Sequence, residues 1–411
     1  MTEAGHEKLN SGVDDRLSLG VAGRVGAIGL GVVGAGVLAL TWAVRGQDGT
    51  DRFLHAYLIS FAMLLSLSLG GMFFVLVNHA CRSGASVVVR RIGELVAANM
   101  VVLATASVPM LLGAGRVYHR WAGPEAVDPV IVGKSLYLNM PMFAARWAVY
   151  FVVWIGLGGM YLRLSRRQDR SSDPKLTLTM QKYSPLGLVL FAVTLTLASF
   201  DLLKSLDPHW FSTIFGVYYF AGAVVGFYAM QVLICVGLQS VGVLRQSVST
   251  EHYHDMGKMM FAFVVFWAYV AYSQYMLYWY GNIPEETAWF IHRGASTAAA
   301  DRGPWTAVVI VLLLGHFVIP FVGLLSRAVK RRPVLLAMWA VWLLVMHWVD
   351  LWWMIMPAYS GDRVMIGLPE IGCLVGLSCV YVAGLAMLAG NKPLAPTGDP
   401  RLGESLAFEN I

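Results

Sequence analysis

Charged residues are scarce in this chain of 411 residues. Only 13% of it is Asp, Glu, Lys or Arg, whereas 57% is hydrophobic. Soluble globular domains carry about 25% charged residues, so the composition excludes an ordinary soluble fold. Cysteine is also rare: Cys81, Cys235, Cys373 and Cys379 form no C-x-x-C pattern. That spacing argues against an iron–sulfur cluster or a structural zinc site held by this chain.

Long apolar runs take the place of the missing charges. A helix needs about 20 apolar residues to cross the hydrocarbon core of a bilayer, and the sequence contains ten such runs. The longest connection between them, residues 113–141, is too short for a soluble domain. The sequence therefore predicts an all-α integral membrane protein with ten transmembrane helices in a single membrane domain, 1–411. The predicted spans are Gly23–Val44, Phe53–Asn78, Ile92–Leu112, Met142–Leu162, Pro185–Leu203, Phe215–Val241, Gly257–Gly281, Thr306–Leu325, Val334–Met356 and Leu368–Ala389.

Lysine and arginine are divided unequally between the two sides of these spans. With the N-terminus inside, twenty of the 30 basic residues lie at inward ends and ten at outward ends. Basic loops resist translocation, so we expect both termini, including the tail 390–411, to be cytoplasmic. Basic loops that face anionic lipid also account for the net charge of +6, and no nucleic-acid partner is needed to explain it.

Sequence landmarks recur in the same order in spans 2–5 and spans 6–9. Span 5 reads FDLLKSLDP from Phe200, and span 9 reads VDLWWMIMP from Val349, with Pro seven residues after Asp in both. The ends of spans 4 and 8, LSRRQDR and LSRAVKRR, also match. A unit of four spans keeps its direction through the membrane. The pattern therefore predicts a parallel repeat of two four-helix bundles, 53–210 and 211–360, flanked by spans 1 and 10.

Ionisable side chains within spans are costly and are therefore candidates for function. The repeat makes Asp201 and Asp350 symmetry mates near the outward ends of spans 5 and 9. Lys204 follows Asp201 by three residues, so a structural ion pair between them is an alternative. Beyond the span, Asp207 is placed to cap span 6, and His209 is suited to accept a proton at the interface.

His316 and His347 are the only histidines deep in the predicted bilayer. Pro320 cannot donate a hydrogen bond to the carbonyl of His316, so we expect a kink with a free acceptor, a suitable lining for a proton path. His347 and Asp350 are three residues apart, so the carboxylate is expected to orient the imidazole. A haem between the two histidines is a further alternative. A cytochrome b with two haems, however, would need four buried histidines.

A quinone pocket is the second kind of site that the sequence indicates. Span 7 carries hydroxyl and amide groups in its outer half, in the stretch AYVAYSQYMLYWYGNIPEE from Ala268. They can bond quinone oxygens, or they can serve as an aromatic belt and as bonds between helices. Arg146, at the start of span 4, is placed to neutralise Asp201. The candidate pocket residues are Arg146, Asp201, His209, Tyr269, Tyr272 and Gln274.

Three stretches carry a resemblance to a known family: SFDLLKSLDPHWFSTIFGVYYFAG from Ser199, HDMGKMMFAFVVFWAYVAYSQYMLYWYGNIPEETAWF from His254, and DPRLGESLAFEN from Asp399. They resemble the second NrfD-like membrane subunit, called ActF, of bacterial alternative complex III. The resemblance runs through all ten spans. It implies two four-helix bundles and a place in a quinol:electron-acceptor oxidoreductase of the bacterial inner membrane, with cytochrome c or a terminal oxidase as acceptor.

The resemblance also implies partners and cofactors. The expected partners are a paralogous NrfD-like membrane subunit, a periplasmic iron–sulfur protein, c-type cytochromes and lipids, with a terminal oxidase as an option. Menaquinone or ubiquinone is the expected quinone, and the paralogous subunit is the better candidate for the active quinol site. This chain has no metal or haem ligands at suitable spacing, so electrons must leave through other chains. The proton-path candidates are Asp201, Lys204, Asp207, His209, His316, His347, Asp350 and Glu94, the last at the inward end where it can instead pair with Arg90.

Two other functions remain open at this point. A purely structural subunit would hold its buried polar groups as satisfied pairs. A secondary transporter would also use parallel repeats and midplane polar groups, but transporters usually break helices at matching positions of both halves. Pro320 in span 8 has no counterpart inside span 4, which counts against a transporter.

Overall fold

The computed structural model describes residues 17–46, 49–123, 127–296 and 302–410. The remaining residues of the predicted domain lie outside this description. All regular secondary structure in these ranges is helical, and ten helices are long and apolar enough to cross a membrane. They are α1 Gly20–Ala43, α2 Thr50–Ala80, α3 Val87–Leu112, α4 Met140–Ser171, α5 Pro174–Leu206, α6 Phe215–Ser240, α7 Thr250–Gly281, α8 Trp305–Leu325, α9 Pro333–Ser360 and α10 Leu368–Ala389. For the described ranges, the prediction of an all-α chain with ten helices able to span a membrane is thereby confirmed.

Several helices extend beyond the apolar runs that predicted them. Helix α7 begins at Thr250, whereas its apolar run begins at Gly257. Ser249 and His252 form a reciprocal capping box there. Helix α4 continues to Ser171 and ends where Ser172 takes up a left-handed conformation. Hydropathy shows only the part of a helix that can lie in hydrocarbon, whereas capping groups fix where the helix begins and ends.

The same set of neighbours recurs in the two halves of the chain. Helices α3 and α5 both pack on α2 and on α4, and helices α7 and α9 both pack on α6 and on α8. Between the halves, α2 packs on α6, α5 packs on α6, and α9 packs on α2. Every residue of α2 from Phe53 to Met72 is buried. Polar side chains on α2 and α6 must therefore find partners inside the protein.

Helices α1 and α10 pack on each other along most of their length. A Cβ on Gly34 would lie 2.7 Å from the carbonyl oxygen of Gly376, so the close approach of the two backbones depends on glycine. Helix α10 also packs on α2 and α3. The two flanking helices are therefore a pair held against the first half of the chain.

The C-terminal tail crosses one end of the helices, which we call the tail side. The Ser405 hydroxyl lies 3.1 Å from the Val88 amide of α3 and 3.2 Å from Nε2 of His252 in α7. The Asn410 side chain donates a hydrogen bond of 3.0 Å to the carbonyl of Glu251. The tail thus connects the first and second halves of the chain on this side.

Candidate functional site

Three buried polar clusters lie along the helices. The Asp201 cluster lies at the end opposite the tail side, the Glu94 cluster lies on the tail side, and the histidine cluster, around His316, Asp350 and His347, lies between them. The carboxylates of the first two clusters form ion pairs with arginine. In the third cluster, Asp350 has no cationic partner among the described residues.

In the Asp201 cluster, the carboxylate is 1% exposed and fully engaged. Arg146 donates two hydrogen bonds of 2.9 Å to its two oxygens, and the Tyr150 hydroxyl donates a third of 2.7 Å. Arg146 also lies 3.8 Å above the ring of Tyr137. The pairing of Arg146 with Asp201, expected from the sequence, is confirmed.

Lys204 does not form the alternative ion pair with Asp201. Its ammonium lies 5.0 Å and 5.4 Å from the ring centroids of Phe200 and Phe211 instead. Because Arg146 occupies both carboxylate oxygens, Lys204 remains outside this cluster.

The connection between α5 and α6 holds Asp207 and His209 at its surface. Nε2 of His209 lies 3.1 Å from Asp128, and both side chains are more than 40% exposed. Hydrogen bonds from the Val130 amide and from His209 lower the pKa of Asp128. Asp207 pairs with Arg120 at 3.3 Å and does not cap α6, whose first residue follows Ile214 without a side-chain cap. The expected capping role was wrong, because the loop carries Asp207 away from the start of α6.

The six candidate quinone-pocket residues do not converge. Tyr269 and Tyr272 are 64% and 65% exposed on the outer surface of α7. Gln274 is buried and accepts a 2.9 Å hydrogen bond from Ser212. The Asp201 carboxylate is occupied by Arg146 and Tyr150 and is therefore not open to a quinone head group. Tyr269, Tyr272 and Gln274 are close together in the sequence of α7. The two tyrosines are exposed and Gln274 is buried, so the three side chains do not share one face of the helix.

In the Glu94 cluster, the carboxylate is fully buried between two arginines. Its oxygens lie 3.4 Å from Nε of Arg90 and 3.0 Å from Nε of Arg91. Arg91 also binds Asp169 at 2.8 Å, and Arg90 binds Asp399 of the tail. The structure therefore places Glu94 in the pairing with Arg90 that the sequence left open, within a network that holds the tail in place.

The histidine cluster begins at an irregular turn of α8. Leu313–Val318 form a π-helical stretch, in which the Ile319 amide donates to the Leu314 carbonyl five residues back. This shift frees the carbonyl of Gly315, which accepts a 2.7 Å hydrogen bond from Nε1 of Trp342. The sequence predicted a freed carbonyl at His316. The π turn, a form that is frequent at functional sites, frees the carbonyl one residue before it, at Gly315.

His316 and Asp350 are connected through Trp267 of α7. The imidazole of His316 stacks on the indole of Trp267, with a centroid distance of 3.9 Å. Nε1 of Trp267 donates a 3.3 Å hydrogen bond to Asp350, and the Tyr218 hydroxyl of α6 donates to the other carboxylate oxygen. Asp350 is 1% exposed. Its hydrogen-bond partners among the described residues are both neutral, in contrast to the arginine that holds Asp201.

His347 lies one turn from Asp350 on α9 but faces α2 and α6. Its Nε2 lies 2.8 Å from the Ser66 hydroxyl. The ring rests on a glycine face of α6, because a Cβ on Gly222 would approach it to 2.8 Å and one on Gly226 to 3.2 Å. The expectation that Asp350 orients His347 was wrong. Donors from α6 and α7 engage the carboxylate, and α2 supplies the partner of the imidazole.

Three ring nitrogens of the cluster have no hydrogen-bond partner among the described residues: both nitrogens of His316, and Nδ1 of His347. Both imidazoles are buried, at 0% and 1% exposure. A buried polar atom left unsatisfied costs about 1–3 kcal/mol, and buried water commonly supplies such partners. The cluster is therefore suited to hold water and to exchange protons with it.

Sequence reasoning missed the partners that shape this cluster, namely Ser66, Tyr218 and Trp267. All three are polar-tipped residues in otherwise apolar runs, a type that is more often a packing residue than a site residue. One signal was present: Gly222 and Gly226, four residues apart on α6, mark a face that a bulky ring can approach.

Comparison of the chain with protein-family models and with curated proteins gave no match. Function must therefore be inferred from the residues and their geometry. Within the described ranges, no group of three or more His, Cys, Asp or Glu side chains is placed to hold a metal ion. The chemistry that the histidine cluster supports is proton transfer between carboxylate, imidazole and water.

Proposed function

We propose that this chain is an NrfD-like membrane subunit of a respiratory quinol-oxidising complex of the alternative complex III type. It lies in the bacterial inner membrane with both termini in the cytoplasm. Its sequence resemblance, its ten spanning helices and its basic loops support this placement. Iron–sulfur clusters, c-type haems and the active quinol site belong to partner subunits, and this chain contributes a proton-conducting path.

Eight of the ten helices form two four-helix bundles related by a parallel repeat, α2–α5 and α6–α9, and α1 and α10 flank them. The recurrent set of helix neighbours in the two halves supports this arrangement, as do the main contacts between the halves. Exchanging the two halves maps the contact of α5 with α6 onto that of α9 with α2, and maps the contact of α2 with α6 onto itself. Such a relation is expected for repeats related by an axis along the membrane normal.

The observation that carries the proton-path proposal is the environment of Asp350. A carboxylate held by an arginine stays ionised, whereas one held by neutral donors in a buried site can take up and release a proton. Asp350 has neutral donors, and His316 and His347 of the same cluster have ring nitrogens without a partner among the described residues. Protons can pass along these groups through bound water, and no chemical step requires a cofactor in this chain.

Measurement of proton movement in the assembled complex tests this function. In vesicles that contain the purified complex, quinol-driven proton movement and electron transfer are followed together. Asp350→Asn is expected to lower proton movement at least tenfold while the complex remains assembled. Asp362→Asn, the same change at an exposed position beyond α9, is the matched control. Unchanged proton movement in Asp350→Asn would contradict the proton-path proposal.

A structural role is the second candidate, and the two closed clusters favour it. Asp201 and Glu94 have arginine partners, and the tail connects both halves. If the histidine cluster is also only structural, Asp350→Asn lowers the stability of the complex without changing its proton yield per electron. The ratio of protons to electrons therefore distinguishes the two functions.

A further inference from the structure

A cleft of about 290 Å³ lies beside the end of α5, opposite the tail side. The connection between α3 and α4 forms one wall, and the connection between α5 and α6 forms the other. Two lysines, Lys134 and Lys204, border the cleft together with Phe200 and Phe211. It borders the Asp201 cluster at Tyr137, but the Asp201 carboxylate itself is occupied by Arg146 and Tyr150.

The two ammonium groups of this cleft lie near one aromatic ring and have no carboxylate in salt-bridge contact among the described residues. Lys134 and Lys204 are 3.8 Å and 5.4 Å from the ring centroid of Phe211. Lys134 also donates a hydrogen bond to the Pro208 carbonyl, and Asp207 lines the cleft. No carboxylate oxygen of the described residues lies within 4.0 Å of either nitrogen. Asp207, Glu286 and Asp128 act on Lys134 only from longer range, and partial burial lowers the pKa of Lys134. An anion bound to both lysines would supply the counter-charge that the two ammonium groups lack and would accept hydrogen bonds from them.

An apolar groove of about 290 Å³ runs along the membrane-facing side of α5 and α6. Leu188, Phe191 and Leu195 line it from α5, and Val217 and Phe220 line it from α6. Its dimensions and lining suit a hydrocarbon chain.

The cleft and the groove follow one face of α5. Thr196 lines the groove and Phe200 lines the cleft, and residues four apart on a helix lie on the same face one turn apart. A single amphiphilic molecule can therefore occupy both, with its charged head near Lys204 and one chain along the groove.

We propose that these two features form a binding site for an anionic phospholipid, with its phosphate between Lys134 and Lys204 and one acyl chain in the groove between α5 and α6. The two positive charges select an anionic head group, and the apolar groove selects a molecule with a long chain. A neutral quinone head would leave both ammonium groups without a counter-charge. The site is independent of the proton path, because it uses none of the side chains of the histidine cluster.

Lipid titration of the purified full-length chain tests the site. Binding of phosphatidylglycerol and of zwitterionic phosphatidylcholine is compared by native mass spectrometry. A lysine near a membrane surface contributes about 1 kcal/mol to anionic-lipid binding, so Lys134→Gln and Lys204→Gln are each expected to weaken phosphatidylglycerol binding about fivefold. Lys134→Arg, which keeps the charge, should retain binding. Lys175→Gln, an exposed lysine at the other end of α5, is the matched control.

Two further measurements separate a lipid from a free anion. Ala192→Phe places a ring in the groove and is expected to weaken phosphatidylglycerol binding severalfold, whereas millimolar inorganic phosphate should not displace the lipid. Displacement by phosphate with no effect of Ala192→Phe would show a free-anion site and overturn the proposal. Equal affinities of the Lys134→Gln, Lys204→Gln and Lys175→Gln variants for phosphatidylglycerol would overturn it as well.

Discussion

Asp201 and Asp350 occupy matching places in the two halves of the chain, each seven residues before a proline, yet their surroundings differ. Asp201 has a bidentate arginine and a tyrosine as partners, and Asp350 has a tyrosine and a tryptophan. The first carboxylate is paired with an arginine, and the second has no cationic partner among the described residues. The hydrogen-bond partners of a buried aspartate are therefore set by the neighbouring helices and not by its position in the sequence alone.

Breaking the ion pair of Asp201 should have the largest effect on stability. Arg146→Leu leaves a buried carboxylate without its cation, which costs about 3–5 kcal/mol in the free energy of unfolding. Denaturant or thermal unfolding of the purified protein measures this loss. The double variant Arg146→Leu with Asp201→Leu should recover most of it, since an apolar pair of similar volume can replace a buried ion pair. Failure of the double variant to recover stability would show that the pair does more than neutralise charge.

Removal of a hydrogen-bond donor to Asp350 tests whether its surroundings matter for proton movement. Tyr218→Phe removes one of the two hydrogen bonds to this carboxylate and should lower the free energy of unfolding by about 1.5–3 kcal/mol. It should also slow quinol-driven proton movement in the complex, because the energy of the charged carboxylate rises. Tyr150→Phe, the corresponding change beside Asp201, should leave proton movement unchanged. Equal effects of the two variants on proton movement would remove the functional distinction between the aspartates.

Glycine at the face of α6 should be required for the position of His347. In Gly222→Ala the new methyl group would lie 2.8 Å from the imidazole, so the ring must move away from Ser66. Overpacking of this kind costs about 1–3 kcal/mol, measured as a lower midpoint of unfolding. Gly237→Ala on the same helix meets nothing within 4 Å and is the control. A stable Gly222→Ala variant with normal proton movement would show that the position of His347 is not critical.

The smallest expected effect is that of Ser66→Ala. It removes the hydroxyl that holds Nε2 of His347 and should cost about 1 kcal/mol, as expected for one buried hydrogen bond. The loss should be seen in the unfolding midpoint, whereas Ser60→Ala, a buried serine that bonds only its own helix, should cost less. A larger cost for Ser60→Ala would contradict the assignment of Ser66 as the partner of His347.

Much of the fold could be predicted from the sequence, because the need to bury apolar runs in a membrane is a local property. The ten spans were predicted in this way. The pairing of Arg146 with Asp201 was predicted for another reason, because opposite charges lie at the same ends of two spans that are adjacent in the chain. The partners of Asp350 and His347 were not, because they come from α2, α6 and α7, and only helix packing brings them together. Spacing of three residues along α9 placed the two side chains one turn apart but gave no information on which neighbours they face.

The π-helical stretch of α8 fixes the direction in which His316 points. A π turn inside an α-helix holds about one residue more than the α-helical turn that it replaces, so deletion of one residue between Leu313 and Val318 would let regular α-helical bonding resume. The two ends of α8 could then keep their packing, whereas His316 would lose the position that stacks it on Trp267. The extra residue of this short segment is thus as much a requirement of the site as the identity of the histidine, and single-residue deletions there should remove the site while α8 still forms.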